Sequence, residues 1–196
     1  MQENSNIVLI LVVAVVAVLV AAWAYSRVQR RRALVRKYGP EYDRIVRDKG
    51  GDPRRAEREL EEREKRVGSF HLRDLTPAQR SHHLAEWNRI QAAFVDEPVQ
   101  AARQAHELLM AVMRDRGYPD SDLAQRQRDL SVNYPDLIEP YREACEIAGR
   151  QTRPGAESTE DLRRATIVYR SLITALLNGR STSHVAASHR QQEVAS

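Results

Sequence analysis

The alternation of apolar and polar positions divides this chain into two unlike parts at Tyr25. From Ile7 to Tyr25 it reads IVLILVVAVVAVLVAAWAY, 19 residues without a charge. At about 1.5 Å per helical residue that run spans a bilayer's hydrocarbon core. Beyond it, apolar residues return at steps of three and four, the period of amphipathic helices. The pattern therefore predicts an all-α protein: one N-terminal transmembrane helix, a charged helical stalk and a small helical bundle.

The punctuation between apolar stripes sets the expected elements. Tyr38-Gly39-Pro40 breaks the helix that emerges from the span, with Pro40 suited to the first turn of the next, and Gly50-Gly51 ends that short piece. Asp52-Pro53 reads as N-cap and first helical residue of PRRAERELEEREKRV. Glu59 and Arg63, Glu61 and Lys65, and Glu62 and Arg66 stand four apart with the acid first, each pair contributing roughly 0.2–0.5 kcal/mol. Ala56, Leu60 and Val67 make only a thin stripe, so this solvated helix is expected as a stalk or lid packed weakly on the domain, closed by Gly68-Ser69.

From Thr76 the stripes broaden. Thr76 and Gln79 have capping-box spacing around Pro77, and Leu84, Trp87, Ile90 and Phe94 follow on one face. A second bundle helix is expected from Asp96, carrying Val99, Ala102, Ala105, Leu109, Val112 and Met113, with Gly117 as the left-handed stop and Pro119 after it. A brief helix capped by Asp120 or Ser121 should run through Leu130. Another should run from about Pro135 to Gly149, with Leu137, Ile138, Tyr141, Cys145 and Ala148 together and Pro140 bending it or shifting its start. The last helix opens at Ser158 to Asp161 and buries Leu162, Ala165, Tyr169, Leu172, Ile173, Leu176 and Leu177 before Asn178-Gly179. The expected organisation is thus a short tail (1–6), a transmembrane helix (7–25), a basic juxtamembrane segment (26–37), the charged stalk (38–75), the bundle domain (76–179) and a disordered tail (180–196).

Charge gives the span an orientation. Arg27, Arg30, Arg31, Arg32, Arg36 and Lys37 crowd one end, whereas Glu3 is the one charge before it. By the positive-inside rule the basic end stays cytoplasmic, with the amino terminus outside and the bundle within. Trp23 and Tyr25 suit the aromatic belt at the headgroup level. The alternative is a secreted protein released by cleavage of a signal peptide. It fits less well, because MQENSN lacks the basic n-region, the run is long, and only Ala22-Trp23-Ala24 resembles a cleavage site.

The formal net charge is +4. Residues 1–25 contribute −1 and residues 26–37 contribute +6, which leaves −1 for the rest. The basic excess belongs to the anchor, so anionic lipid headgroups are the expected partners of the six basic residues. Another protein is the expected partner of the bundle, and nucleic acid is not expected of a near-neutral body. The single cysteine, Cys145, excludes an intramolecular disulfide and is expected as a small buried side chain.

Several motifs together resemble a family of uncharacterised bacterial proteins of the cell envelope, variously labelled membrane, secreted or hypothetical: WNRIQAAFVDEP from Trp87, RDRGYP ending at Pro119, DLSVNYP from Asp129, EPYREA at Glu139 and ESTEDLRRATIVYRSL at Glu157. The resemblance covers roughly residues 27–178 and implies a bacterial origin and a cell-envelope location, which the span and its basic flank make the inner membrane. It brings no known activity, cofactor or catalytic residue.

Each of these motifs has a structural explanation. Gly117-Tyr118-Pro119 reads as a helix stop followed by an anchored aromatic, Asp96-Glu97-Pro98 as a cap, and Tyr141-Arg142 and Tyr169-Arg170 as interfacial tyrosines with exposed arginines. His82, His83 and Glu86 form no metal set without the Glu-x-x-His motifs of bundle di-metal sites, and neither a P-loop nor a nucleophile elbow occurs. No catalytic, cofactor-binding or metal-ligating residue is therefore assigned, and an enzyme is not expected. The leading expectation is a membrane-anchored protein-interaction or scaffold module. The alternatives are a small-ligand binder or enzyme with a pocket near Trp87, Tyr118, Tyr141 and Tyr169, and a nucleic-acid binder with a helix-turn-helix in the bundle.

Overall fold

The computed structural model describes the backbone of residues 2–150 and 159–179, and the side chains of residues 14–148 and 159–179. Among the described residues the protein is all-α, with eight helices: α1 (Gln2–Tyr38), α2 (Pro40–Asp48), α3 (Pro53–Gly68), α4 (Pro77–Ala93), α5 (Pro98–Arg116), α6 (Leu123–Asn133), α7 (Pro135–Arg150) and α8 (Thr159–Leu177).

The boundaries follow local chemistry. Gly39, at φ +49°, separates α1 from α2, and Pro40 opens α2. The Asp52 side chain accepts from the backbone N–H groups of Arg54 and Arg55. Thr76 and Gln79 form the reciprocal capping box. At the end of α5, Gly117 takes φ +92°, and the Tyr118 N–H bonds back to the Met113 carbonyl. A Cβ on Gly117 would also lie 2.4 Å from the His71 carbonyl oxygen, because the 69–76 connection runs directly over this corner.

Other boundaries differ from the expectation. Helix α5 begins at Pro98 rather than Asp96, and its N-cap, Glu97, makes no side-chain cap hydrogen bond. Proline at the first position already lacks one of the N–H groups a cap would satisfy. Asp122, not Asp120 or Ser121, caps α6, which extends through Asn133 to the hinge at Tyr134-Pro135. Pro140 is accommodated within α7. The predicted Ser158 cap and the 180–196 tail lie outside the described residues.

Two apolar clusters hold the molecule together. The larger packs α4, α5, α7 and α8 around Ile90, Leu109, Val112, Ile138, Tyr141 and Leu172, with Leu130 of α6 joining it. Helix α8 packs most extensively on α5 and α7. On α4 the buried face is His83, Trp87 and Ile90, and Leu84, predicted on that face, is 46% exposed. The steps from 83 to 87 to 90 stay in register, and Leu84 lies one position, about 100°, away.

The smaller cluster, Tyr38, Tyr42, Ile45, Ala56 and Leu60, joins the end of α1 to α2 and α3. The segment expected as a stalk or lid packed weakly on the domain is folded back on it: α2 packs on α1, α3 and α7, and α3 packs on α6. The stripe Ala56, Leu60 and Val67 is buried as its spacing predicts. Of the three predicted acid-first pairs, Glu59–Arg63 forms at 3.0 Å, while Arg66 turns to Asp129 and Glu61 faces Arg30.

Among the described residues no helix is long and apolar enough to cross a membrane. The side chains of residues 7–13, the first part of the predicted run Ile7–Tyr25, lie outside the described residues. The remainder, Ala14–Tyr25, covers only about 18 Å of a ~30 Å hydrocarbon core.

Candidate functional site

Helix α1 continues without interruption from the apolar run through the basic segment. Over Ala14–Tyr25, the described part of the apolar run, it is apolar on all sides and uncovered: Val15, Val16, Val18, Leu19, Val20, Trp23 and Tyr25 are all exposed. An all-round apolar helix in a stable protein sits in a core or a lipid phase. Arg27 lies over the Trp23 ring, 5.6 Å from its centroid. The Tyr25 hydroxyl accepts from Gln29 Nε2 at 2.9 Å.

The six basic residues after the run are not equivalent. Arg31, Arg32 and Arg36 are exposed. Arg30 approaches Glu61 at 3.7 Å. Lys37 is half-buried and donates to Glu64 Oε1 at 2.5 Å, and Glu64 also accepts from the Tyr38 hydroxyl at 3.0 Å. Sequence order placed Lys37 with the headgroup contacts, whereas the fold gives it a partner on α3. Burial and the negative charge of Glu64 push the Tyr38 hydroxyl well above its ordinary pKa.

These contacts set the direction of α3. Lys37 meets Glu64, Arg30 meets Glu61, and Arg27, Val28 and Arg31 line a depression with Asp52, Pro53 and Arg54. Helix α3 therefore runs parallel to α1, with its N-terminus beside the start of the basic segment. Between the two helices opens a cleft of about 670 Å³ lined by Trp23, Arg27, Arg30, Arg54, Glu57 and Arg58, together with Ser26, Leu34 and Glu61.

Behind the cleft lies a buried ion network that the sequence did not disclose. The Glu41 side chain is 1% exposed, and those of Arg63 and Arg142 are each 11% exposed. Arg142 grips Glu41 with both terminal nitrogens, Nη1 to Oε2 at 2.6 Å and Nη2 to Oε1 at 2.8 Å. Arg63 Nη1 donates to Glu41 Oε1 at 3.0 Å and to Ser131 Oγ at 3.2 Å. Burial pushes the Glu41 carboxyl upward, but the hydrogen bonds and charges of Arg142 and Arg63 outweigh it and hold the group below its ordinary value. Nearby, Arg66 Nε donates to the buried Asp129 at 3.0 Å. Four elements, α2, α3, α6 and α7, are thereby joined by charge. Arg142, expected as an exposed neighbour of Tyr141, is a central member of the network. The one legible signal was that Glu41 shares a helical face with Ile45.

The residues with chemical potential elsewhere in the bundle are engaged in packing or pairing. His82 is exposed and Glu86 pairs with Arg89 at 2.7 Å. His83 is buried, with Nε2 at 2.8 Å from Asp115 Oδ2. Trp87, Tyr118, Tyr141 and Tyr169, the residues proposed to line a ligand pocket, all belong to the large core cluster. Tyr118 is anchored through its hydroxyl, which accepts from Asn133 Nδ2 at 2.8 Å. The Tyr169 hydroxyl donates to the Ala144 carbonyl at 3.3 Å. Cys145 is buried, and its thiol is pushed up by burial. Among the described residues, no three His, Cys, Asp or Glu side chains are grouped so as to hold a metal ion.

No family model, curated protein or solved structure matches the chain.

Proposed function

We propose that this chain is a single-pass membrane-anchored helical protein whose bundle is held rigidly at the cytoplasmic face of a bacterial inner membrane and there engages another protein. The observation that carries this is α1 itself: an all-round apolar helix, uncovered by protein, that continues unbroken into a helix docked on the bundle. In the full sequence its apolar run is 19 residues, about 28 Å of helix against a ~30 Å core. The basic flank favours a cytoplasmic bundle.

Rise along the helix separates the basic residues by role. Arg27, Arg30 and Arg31 stand roughly 3–9 Å beyond Tyr25, within reach of a headgroup layer of about 5–8 Å, whereas Lys37 stands about 18 Å beyond it. Lys37 accordingly serves the α1–α3 contact, and Arg27 and Arg31 serve the lipid. On the side of the partner protein, Val95 and Val99 expose apolar surface at the α4–α5 corner.

A reporter active only in the cytoplasm, fused after Ser196, tests the topology. Activity is expected, together with carbonate-resistant membrane association and an intact N-terminal region by mass spectrometry. A product beginning near Tyr25, or an inactive cytoplasmic reporter, would overturn the assignment. A photo-crosslinking residue at Val95 should capture one defined protein in intact cells, and capture of none counts against the docking role.

A further inference from the structure

The cleft between α1 and α3 has an unusual wall. Its α3 side is built from the first two turns of that helix, where Arg54, Arg55 and Arg58 stand and the first turn has no acidic residue. Cations at a helix N-terminus are disfavoured by the macrodipole, which prefers an anion there. Arg55 reaches Asp52 at 3.3 Å. The side chains of Arg54 and Arg58 are exposed and, among the described residues, make no ion pair, although Glu57 stands between them. Opposite are Arg27, stacked on Trp23, and Arg30, whose approach to Glu61 is loose at 3.7 Å. Four guanidinium groups from two helices therefore face one space, against the two carboxylates Glu57 and Glu61. The space is about 670 Å³, in the range of small-ligand sites. Trp23 marks its level as the headgroup layer, if α1 crosses the membrane as proposed above.

We propose that this cleft is a binding site for the phosphate-bearing headgroup of an anionic phospholipid, with Arg54 and Arg58 of α3 completing what Arg27 and Arg30 of α1 begin. The proposal rests on the membrane anchor and adds a discrete site to it. Guanidinium donors on opposite walls grip phosphate oxygens from two sides, which a basic stretch on a single helix does not do. Trp23 covers the glycerol end, and the acyl chains run along the uncovered apolar surface of α1. Asp52 already caps the free N–H groups of the α3 N-terminus, so what occupancy adds there is an anion between the unpaired guanidinium groups of Arg54 and Arg58 and those of Arg27 and Arg30. The lipid would thus brace α3 against α1, and through the Arg63–Glu41–Arg142 network orient the whole bundle at the membrane.

The test uses the full chain reconstituted with mixed phosphatidylglycerol and phosphatidylcholine, extracted in mild detergent and weighed by native mass spectrometry with its retained lipids. Wild type should retain phosphatidylglycerol over phosphatidylcholine. Arg54→Ala with Arg58→Ala should lower that preference roughly tenfold or more, as loss of two lipid-facing charges implies. Arg54→Lys with Arg58→Lys should keep most of it, and Glu57→Gln should raise it. The exposed pair Arg103→Ala with Arg170→Ala, outside the cleft, should leave it unchanged. Equal retention of both lipids by wild type, or equal losses from the cleft and control pairs, would overturn the site. Displacement of the retained lipid by excess inorganic phosphate would reassign the cleft to a soluble anion and overturn the lipid assignment. Carbonate extraction run in parallel separates the two levels: a chain released from membranes fails as an anchored protein, whereas a chain that stays but shows no lipid preference fails only at the cleft.

Discussion

Glu41 shows how one side chain can matter more than its place in the sequence suggests. It sits in the first turn of α2, where any acidic residue is favourable, yet it is the buried hub for two arginines whose side chains are each only 11% exposed. Removing one partner from such a group leaves uncompensated charge, so Glu41→Ala should destabilise the full chain in micelles by about 3–5 kcal/mol, read from denaturant unfolding. Replacing Glu41, Arg63 and Arg142 together by Met, Leu and Met should recover much of that loss. The pH dependence has a defined sign. The folded carboxyl lies below its ordinary value of 4.5, so between the two values the unfolded chain binds more protons and stability rises with pH. The contribution is complete above about pH 4.5 and is lost as pH falls through the folded value. Wild type should therefore lose Tm more steeply than Glu41→Gln on acidification below that point. Gly117 is the other sensitive position. Alanine there meets both a left-handed backbone and the His71 carbonyl, and should cost at least about 1–2 kcal/mol, whereas Gly68→Ala, with open space around it, should be nearly neutral.

At the scale of the element, α3 carries the most consequence. Its charged sequence and three buried apolar residues resemble a solvated helix, and the stripe was legible from spacing alone. What that stripe packs against was not, because the α2–α3 hairpin returns the helix to α6 through Arg63–Ser131 and Arg66–Asp129, contacts between residues more than 60 apart in sequence. Leu60, fully buried in the small cluster, is the test of docking. Leu60→Ala should cost about 2–5 kcal/mol and raise amide exchange across α2 and α3 before α5 and α8. By contrast, Thr76→Ala removes only the capping box of α4 and should cost about 1 kcal/mol. On α4 the periodicity was legible but its phase was not: Leu84 looked like the core residue, whereas His83 occupies that face because Asp115 of α5 meets its imidazole. A polar residue is admitted to a core when a partner on another element meets it, here at Nε2 alone, since the buried Nδ1 makes no hydrogen bond among the described residues.

For the whole molecule, the sequence by itself determined the all-helical class, most helix ends and the apolar stripes. These follow from short-range causes: proline and glycine geometry, capping side chains, and a period of 3.6 that an observer can count. It also determined the long apolar run and the clustered charge after it, on which the proposed membrane orientation depends. Only the tertiary structure decided which stripe meets which, that the expected stalk or lid is tied to α6 and α7 by ion pairs, that Arg142 joins that network, and that Arg54 and Arg58 stand across a cleft from Arg27 and Arg30. The reason is that a buried ion pair or a two-walled cleft is made by groups 22 to 101 residues apart, and sequence spacing constrains such distances only through the packing of every element between them.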